Sequence, residues 1–191
     1  MFLSDDAVRA LGLARVGTGV QIDSTVVVIG APNIEVGSSV RIDAFSVLSA
    51  PSARLRLGDH VHLSVGVSLF GASGIELEDF VGLSARVTVY SQSDDFTEGF
   101  LTGPTVPARF RKLTTGPVTL RRHALVGAGA VILPGVDVGV GAAVGALSLV
   151  TRSVPPFTRV AGCPARPIGT RDRDRLQRLE AELRASGDDA V

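Results

Sequence analysis

The sequence predicts an all-β fold, a parallel β-helix built of triangular coils, and three observations predict it. Within Leu120–Thr151, the residues Leu120, Val126, Ile132, Val138, Val144 and Val150 recur at a constant step of six. Four residues after each of the first five stands Ala124, Ala130, Val136, Ala142 or Ser148, so a small side chain or valine repeats in phase. The composition, with 22 glycines and only 5% aromatic residues, favours compact aliphatic packing with many turns. A period of six fits neither strand alternation nor an amphipathic helix; it is a solenoid repeat. Each hexad supplies one short strand and a corner, and three hexads close a coil. The aliphatic residue fills the axis, the small one fits the corner, and glycine supplies the turn angles.

The elements follow in order. Residues 1–15 read as a helical cap, with Ser4 placed to N-cap a helix before Asp5 and Asp6, and Ala7, Val8 and Leu11 on one stripe. Residues 16–155 carry the β-helix. Its hexads begin at Val16, Ile22 and Val28, slip at Pro32–Asn33, and resume at Val36, Ile42 and Leu48. Further slips precede Leu57, Leu63 and Leu69, and then Leu77, Leu83 and Val89. Each slip lengthens an 18-residue coil by a two- or three-residue bulge at a corner. The period stops after Tyr90, and residues 95–117, rich in Gly, Thr and Pro, form an excursion long enough to point to function. The array resumes at Leu120 for a total of about six coils. Val154–Pro155–Pro156 ends it, since two prolines cannot join a ladder. Residues 156–191 hold a turn, AGCPAR (Ala161–Arg166), and an amphipathic helix over Arg171–Ala185 with Leu176, Leu179 and Leu183 on one stripe. That stripe and the flat faces of the prism predict a homo-oligomer, with threefold packing as the natural closure.

Bulk properties exclude other classes. A formal net charge of zero argues against a nucleic-acid or membrane surface. The N-terminal MFLSDDAVRA has no basic region or apolar run of signal-peptide length, and no segment reads as a bilayer span, so a soluble cytoplasmic protein is expected. Cys163 stands alone, which leaves no disulfide framework and no cysteine-based metal site.

The hexad array, the excursion before the last coils, ILPGV (Ile132–Val136), GALSLVTRSVPP (Gly145–Pro156) and AGCPAR together resemble the hexapeptide-repeat acyltransferases. The resemblance implies a left-handed β-helix, a homotrimer, and acetyl-coenzyme A as co-substrate with no metal. VRIDAFSVLSA, GDHVHLSVGVSLFG, IELEDFVGLSARVTVYSQSDDF and LTGPTVP are most similar to the acetyltransferases of O-antigen sugar synthesis. Within these, the resemblance is to the type that N-acetylates dTDP-4-amino-4,6-dideoxyglucose. One departure matters. The catalytic histidine that galactoside and maltose acetyltransferases carry at the start of their loop falls on Asp94 here.

The period also maps the surface, because residues flanking each axial aliphatic point outward. Arg41 and Asp43 flank Ile42, His62 and Ser64 flank Leu63, and Gly82 and Ser84 flank Leu83, so all six should share one outer face. His62 is the first candidate for general base, since a near-neutral imidazole suits removal of a proton from an attacking amine or hydroxyl. Asp94 is the second, able to hold or deprotonate a sugar amine, with Asp95 beside it as a substrate contact or a turn cap. Arg41, Asp43, Ser64, Ser84 and Arg86 complete the candidate acceptor surface. By position in the family motif, Ala128, Ala146, Thr151, Arg152 and Arg166 are expected against coenzyme A, whose phosphates seek cations. Arg109, Arg111, Lys112, Arg121 and Arg122 are further cations for a nucleotide diphosphate. Cys163 reads as a small turn residue.

Two alternatives stand beside N-acetylation. One is O-acetylation of a saccharide hydroxyl, which shares every donor feature. The other is a zinc site of the γ-carbonic-anhydrase kind from His60, His62 and His123, whose spacing is poor for it.

Overall fold

The computed structural model of the chain describes residues 1–186, so residues 187–191 of the expected C-terminal region lie outside the described residues. Its core is a triangular β-solenoid with three parallel sheets. The first sheet runs through Arg15–Val16, Ile34–Val36, Leu55–Leu57, Ile75–Leu77, Val118–Leu120 and Asp137–Val138. The second runs through Gln21–Ile22, Arg41–Ile42, His62–Leu63, Gly82–Leu83, Leu125–Val126, Ala143–Val144 and Thr158–Gly162. The third climbs from Val27–Ile29 through Val47–Ser49, Ser68–Phe70, Thr88–Tyr90 and Val131–Ile132 to Leu149–Val150.

Register explains why a six-residue period suffices. Each coil lays its axial aliphatic on that of the coil below: Leu63 on Ile42, Leu83 on Leu63, Val126 on Leu83, and Val144 on Val126. These side chains make a continuous buried column, and the corner residues Val40, Ser46, Ala124, Ala130 and Ala142 are buried beside them. The first slip forms a 3-10 turn at Ala31–Asn33, whose Asn33 amide donates to the Ala50 carbonyl at 2.9 Å. Gly30 before it has φ 74°, and a Cβ there would sit 2.2 Å from the Ala50 oxygen, so only glycine fits.

Two expectations need correction. The solenoid has about seven turns, the last begun only by Thr158–Gly162 in the second sheet, which at the spacing between strands gives about 34 Å of height. The prolines do not end it. Pro155 and Pro156 take a corner, and Thr158–Gly162 then pairs in parallel with Ala143–Val144 and folds back in a hairpin onto Ala165–Thr170. A proline lacks only its own donor, so it is tolerated where the chain turns between sheets. At the other end the cap helix α1 is short, Asp5–Ala10, with the Ser4 hydroxyl accepting from the Ala7 N–H. The residues before it run as an edge instead: the Leu3 N–H donates to the Ile22 carbonyl, and the Met1 amino group lies 2.8 Å from the Asp23 carboxylate.

The excursion leaves the third sheet as an arm. Gln92–Asp94 pairs antiparallel with Leu113–Thr115, and a 3-10 turn at Ala108–Phe110 lies between them. The C-terminal helix α2, Arg173–Ser186, buries none of its side chains fully, and Leu179 of the predicted stripe is half exposed. Polar contacts hold it to the prism. Glu180 accepts from Arg122 at 2.9 Å and lies 2.6 Å from His123 Nε2, while Arg171 donates to the carbonyls of His123 and Gly141. Burial raises the Glu180 carboxyl, but the bonds from His123 and Arg184 outweigh it and hold the group below its ordinary value. A lowered carboxyl stabilises docking above its ordinary range and loses that contribution as pH falls through the folded value. Protection of the α2 amides, measured against their intrinsic exchange rates, should therefore fall in acid, and Glu180→Ala should lower it about tenfold at neutral pH; hydrogen–deuterium exchange reads both.

Candidate active site

The outer face of the second sheet carries the residues that periodicity assigned to it. Arg41, His62 and Gly82 are in register on three successive strands, and Asp43, Ser64 and Ser84 stand two residues further along each. His62 Nε2 is 2.9 Å from Asp43 Oδ2, and Arg41 Nε donates to Asp43 Oδ1 at 2.8 Å. Burial pushes the Asp43 carboxyl up, but its bonds to His62 and Arg41 dominate and hold it below the usual value. Facing a carboxylate, Nε2 is the ring nitrogen that donates, so the neutral imidazole offers Nδ1 as acceptor. The coil above leaves room for a substrate there, since a Cβ on Gly82 would meet only Leu125 Cδ1, at 3.4 Å. Arg86 is exposed at the next corner.

Asp94 lies on a different face. It ends the first strand of the arm and borders a cleft of about 310 Å³ between the arm and the third sheet. The Gly103 N–H reaches its Oδ1 at 3.4 Å, a long bond that leaves most of the carboxylate's accepting capacity unused. Asp95 instead turns back into the arm, accepting from the Thr97 hydroxyl and N–H and from the Glu98 N–H. The Phe70 and Tyr90 rings stack on the same cleft with centroids 5.1 Å apart. Sequence reasoning missed both. The signal was present, since each directly follows an axial residue, Leu69 or Val89, as Ser64 follows Leu63.

At the far end, exposed Ala128 and Ala146 stack one coil apart, the Leu147 N–H bonding to the Ala128 carbonyl at 2.9 Å. Among the described residues neither alanine's own N–H donates to another backbone group, so two backbone donors stand unclaimed beside small side chains. Thr151, Arg152 and Arg166 are exposed on the last turn and its hairpin. Small side chains, outward donors and terminal cations fit a pantetheine arm ending in phosphates.

Several further cations are already engaged. Arg121 bridges Glu78 and Asp137, Arg122 binds Asp79 and Glu180, and Lys112 pairs with Glu98. The histidines do not converge. His60 and His123 stack on either side of Phe80 at one corner, away from the sheet face that carries His62. Among the described residues no group of three or more His, Cys, Asp or Glu is placed to hold a metal ion, and no helix is long and apolar enough to cross a membrane.

No family model matches the chain. The dTDP-4-amino-4,6-dideoxy-D-glucose acyltransferase of Escherichia coli is 32% identical over 185 residues, which span 97% of this chain and 96% of that protein. Among solved structures, AntD, an N-acyltransferase from Bacillus cereus, in complex with dTDP and 3-hydroxybutyryl-CoA, superimposes with a TM-score of 0.92 at 34% identity over 98% of both chains. An AntD variant in complex with dTDP-4-amino-4,6-dideoxyglucose and coenzyme A gives 0.93 at 35% over 97% of each. A hexapeptide-repeat acetyltransferase from Vibrio cholerae, at 21% identity and a TM-score of 0.58 over 89% of this chain and 80% of that one, shares the fold. With a relative matched over nearly the full length of both chains, on a seven-turn hexapeptide solenoid, this protein belongs to the hexapeptide-repeat acyltransferases.

Proposed function

We propose that the protein transfers an acyl group, acetyl in the first instance, from its coenzyme A thioester to the 4-amino group of dTDP-4-amino-4,6-dideoxyglucose. The observation that carries this reading is the full-length likeness to AntD, whose structures hold that sugar nucleotide and coenzyme A. AntD has also been solved as S84A and D94N variants, and the same residue types, Ser84 and Asp94, stand at those numbers here.

Transfer is direct. The amine nitrogen attacks the thioester carbonyl carbon, the carbon–sulfur bond breaks, and coenzyme A leaves as its thiolate. His62 Nδ1, oriented through Nε2 by Asp43, takes the proton that the nitrogen loses. Asp94 holds the amine in place, and Ser64, Ser84, Arg41, Arg86 and Asp95 border the acceptor surface. The free N–H of Ala128 or Ala146 stabilises the oxyanion, while Thr151, Arg152 and Arg166 hold coenzyme A.

His62 and Asp94 belong to different faces of one prism, so the site is completed by a second copy in a homotrimer. The corner between those faces supports this, because Phe45 (69% exposed), Val65 and Leu147 (79% exposed) leave apolar surface along it. The reaction is placed in the cytoplasm, where coenzyme A thioesters and nucleotide sugars are made.

Release of free thiol from acetyl-CoA and 3-hydroxybutyryl-CoA, with the dTDP amino sugar, its 4-hydroxy counterpart and plain hexoses as acceptors, tests the reading. Turnover is expected with the amino sugar. Turnover confined to hydroxyl acceptors would replace it with O-acylation, and a preference for the longer thioester would replace acetyl.

A further inference from the structure

We infer that Arg41 is a positioning residue for the transfer, acting on His62 through the carboxylate of Asp43, with the Phe2 ring holding its guanidinium in place. This rests on the reading of His62 as the base, and it moves Arg41 from the acceptor surface to the groups that support the base.

Three contacts carry the inference. Asp43 is shared: its Oδ2 faces His62 Nε2 at 2.9 Å, and its Oδ1 accepts from Arg41 Nε at 2.8 Å, so each oxygen has one partner. The last torsion of an aspartate is soft, and a carboxylate held at one oxygen only can turn and release the ring. Arg41 removes that freedom. The third contact is the Phe2 ring, whose centroid lies 5.1 Å from Arg41 Cζ. Backbone bonds place Phe2 there. It bridges antiparallel to Asp23, while the Leu3 N–H donates to the Ile22 carbonyl and the Ser24 N–H to the Met1 carbonyl. With one edge on Asp43 and one face on Phe2, the guanidinium is committed to the protein rather than to a substrate.

Its charge has a second consequence. Arg41 and His62 stand in register on adjacent strands, about 4.8 Å apart along the backbone. Asp43 by itself favours the imidazolium, and a fixed guanidinium beside the ring opposes it, so the neutral form that accepts a proton persists to lower pH. Burial raises the Asp43 carboxyl, but its bonds from His62 and Arg41 hold it below the ordinary value, so it stays charged where a histidine titrates. The other groups on this face leave that balance to Arg41. Asp23, in the coil below Asp43, is taken by the Met1 amino group and the Thr25 hydroxyl. The strand above His62 brings Gly82, followed by Ser84, both uncharged. Arg86 stands at the next corner, and Asp94 comes from the proposed second copy.

The test is steady-state kinetics from about pH 5 to 9 on wild type, Arg41→Met, Arg41→Lys, Phe2→Ala, Asp43→Asn and the Arg41→Met/Asp43→Asn double variant. Arg41→Met should lower kcat about tenfold, leave KM for both substrates unchanged, and move the acid limb of kcat/KM up by about one pH unit. Arg41→Lys keeps the charge, so it should hold the limb in place and recover most of kcat. Phe2→Ala should lower kcat in the same direction by about two- to fivefold. In the Asp43→Asn background, Arg41→Met should add less than about twofold, since the route to His62 is already cut. A raised acceptor KM with kcat unchanged in Arg41→Met would make the residue a substrate contact. That result, an unmoved acid limb, or a fully additive loss in the double variant overturns the inference and leaves the N-acyltransferase reading standing. A near-wild-type His62→Ala enzyme removes the base and this inference with it, and absence of turnover by the wild type contradicts the proposed function itself.

Discussion

Replacing His62 with alanine should lower kcat by about 10² to 10⁴ and leave coenzyme A affinity unchanged. The imidazole is half exposed on an open sheet face, so the loss comes from chemistry rather than folding. Its partner Asp43 is held in the charged form, which fixes Nε2 as the donor and leaves Nδ1 to accept. Asp43→Asn should therefore cost activity as well, by a smaller factor, because the amide can hold the ring but can no longer stabilise an imidazolium. Asp94→Asn should fall in the same range as His62→Ala for a different reason. An amide in place of the carboxylate binds the amine more weakly and presents a donor to it, so the acceptor KM rises with the fall in kcat. Steady-state kinetics with the acceptor varied separates the two. A near-wild-type His62→Ala enzyme would remove the imidazole from the mechanism and leave the proton to Asp94 or to the departing thiolate.

The second large effect is a gain. His62→Ala and Asp94→Asn are each expected to be almost inactive, yet co-assembled hybrids should recover activity. In a trimer whose sites take His62 from one copy and Asp94 from the next, random mixing makes about one site in four carry both wild-type groups. Recovery to about a quarter of the wild-type rate in the unfractionated mixture, or about a third in hybrids purified away from the homotrimers, is the expected result. If both residues served a site within one copy, every site would lack one of them, and mixing would restore nothing. The exposed Phe45, Val65 and Leu147 along the intervening corner make the same point structurally, since a contact between copies there would bury them.

Most of the fold was legible because one kind of residue carries it. An axial aliphatic at every sixth position has one place to go in a triangular coil, and register then fixes its neighbours. Arg41, Asp43, His62, Ser64, Gly82 and Ser84 were placed correctly on one face by that logic alone, although the 2.9 Å contact between His62 and Asp43 was not foreseen. The misreadings lie where the period gives no guidance. The strands Thr158–Gly162 and Ala165–Thr170 lie behind Pro155–Pro156, a pair that reads as the end of a ladder but occupies a corner. Met1–Leu3 joins the edge of Gln21–Asp23 through backbone bonds, which sequence pattern does not encode. Arg121 and Arg122 looked like free cations because their partners Glu78 and Asp79 are a coil away, and Glu180 comes from α2. Arg111 sits in the aperiodic arm, and only the pairing of Gln92–Asp94 with Leu113–Thr115 brings it back to the third sheet.

The chemistry at the acceptor nitrogen is witnessed directly by the product. The purified protein is incubated with acetyl-CoA and dTDP-4-amino-4,6-dideoxyglucose, and the nucleotide sugar is recovered for mass spectrometry and NMR. One added acetyl group, carried as an amide on the 4-nitrogen, is expected. An unmodified amino sugar, or an acetyl group found on a ring hydroxyl, would contradict it.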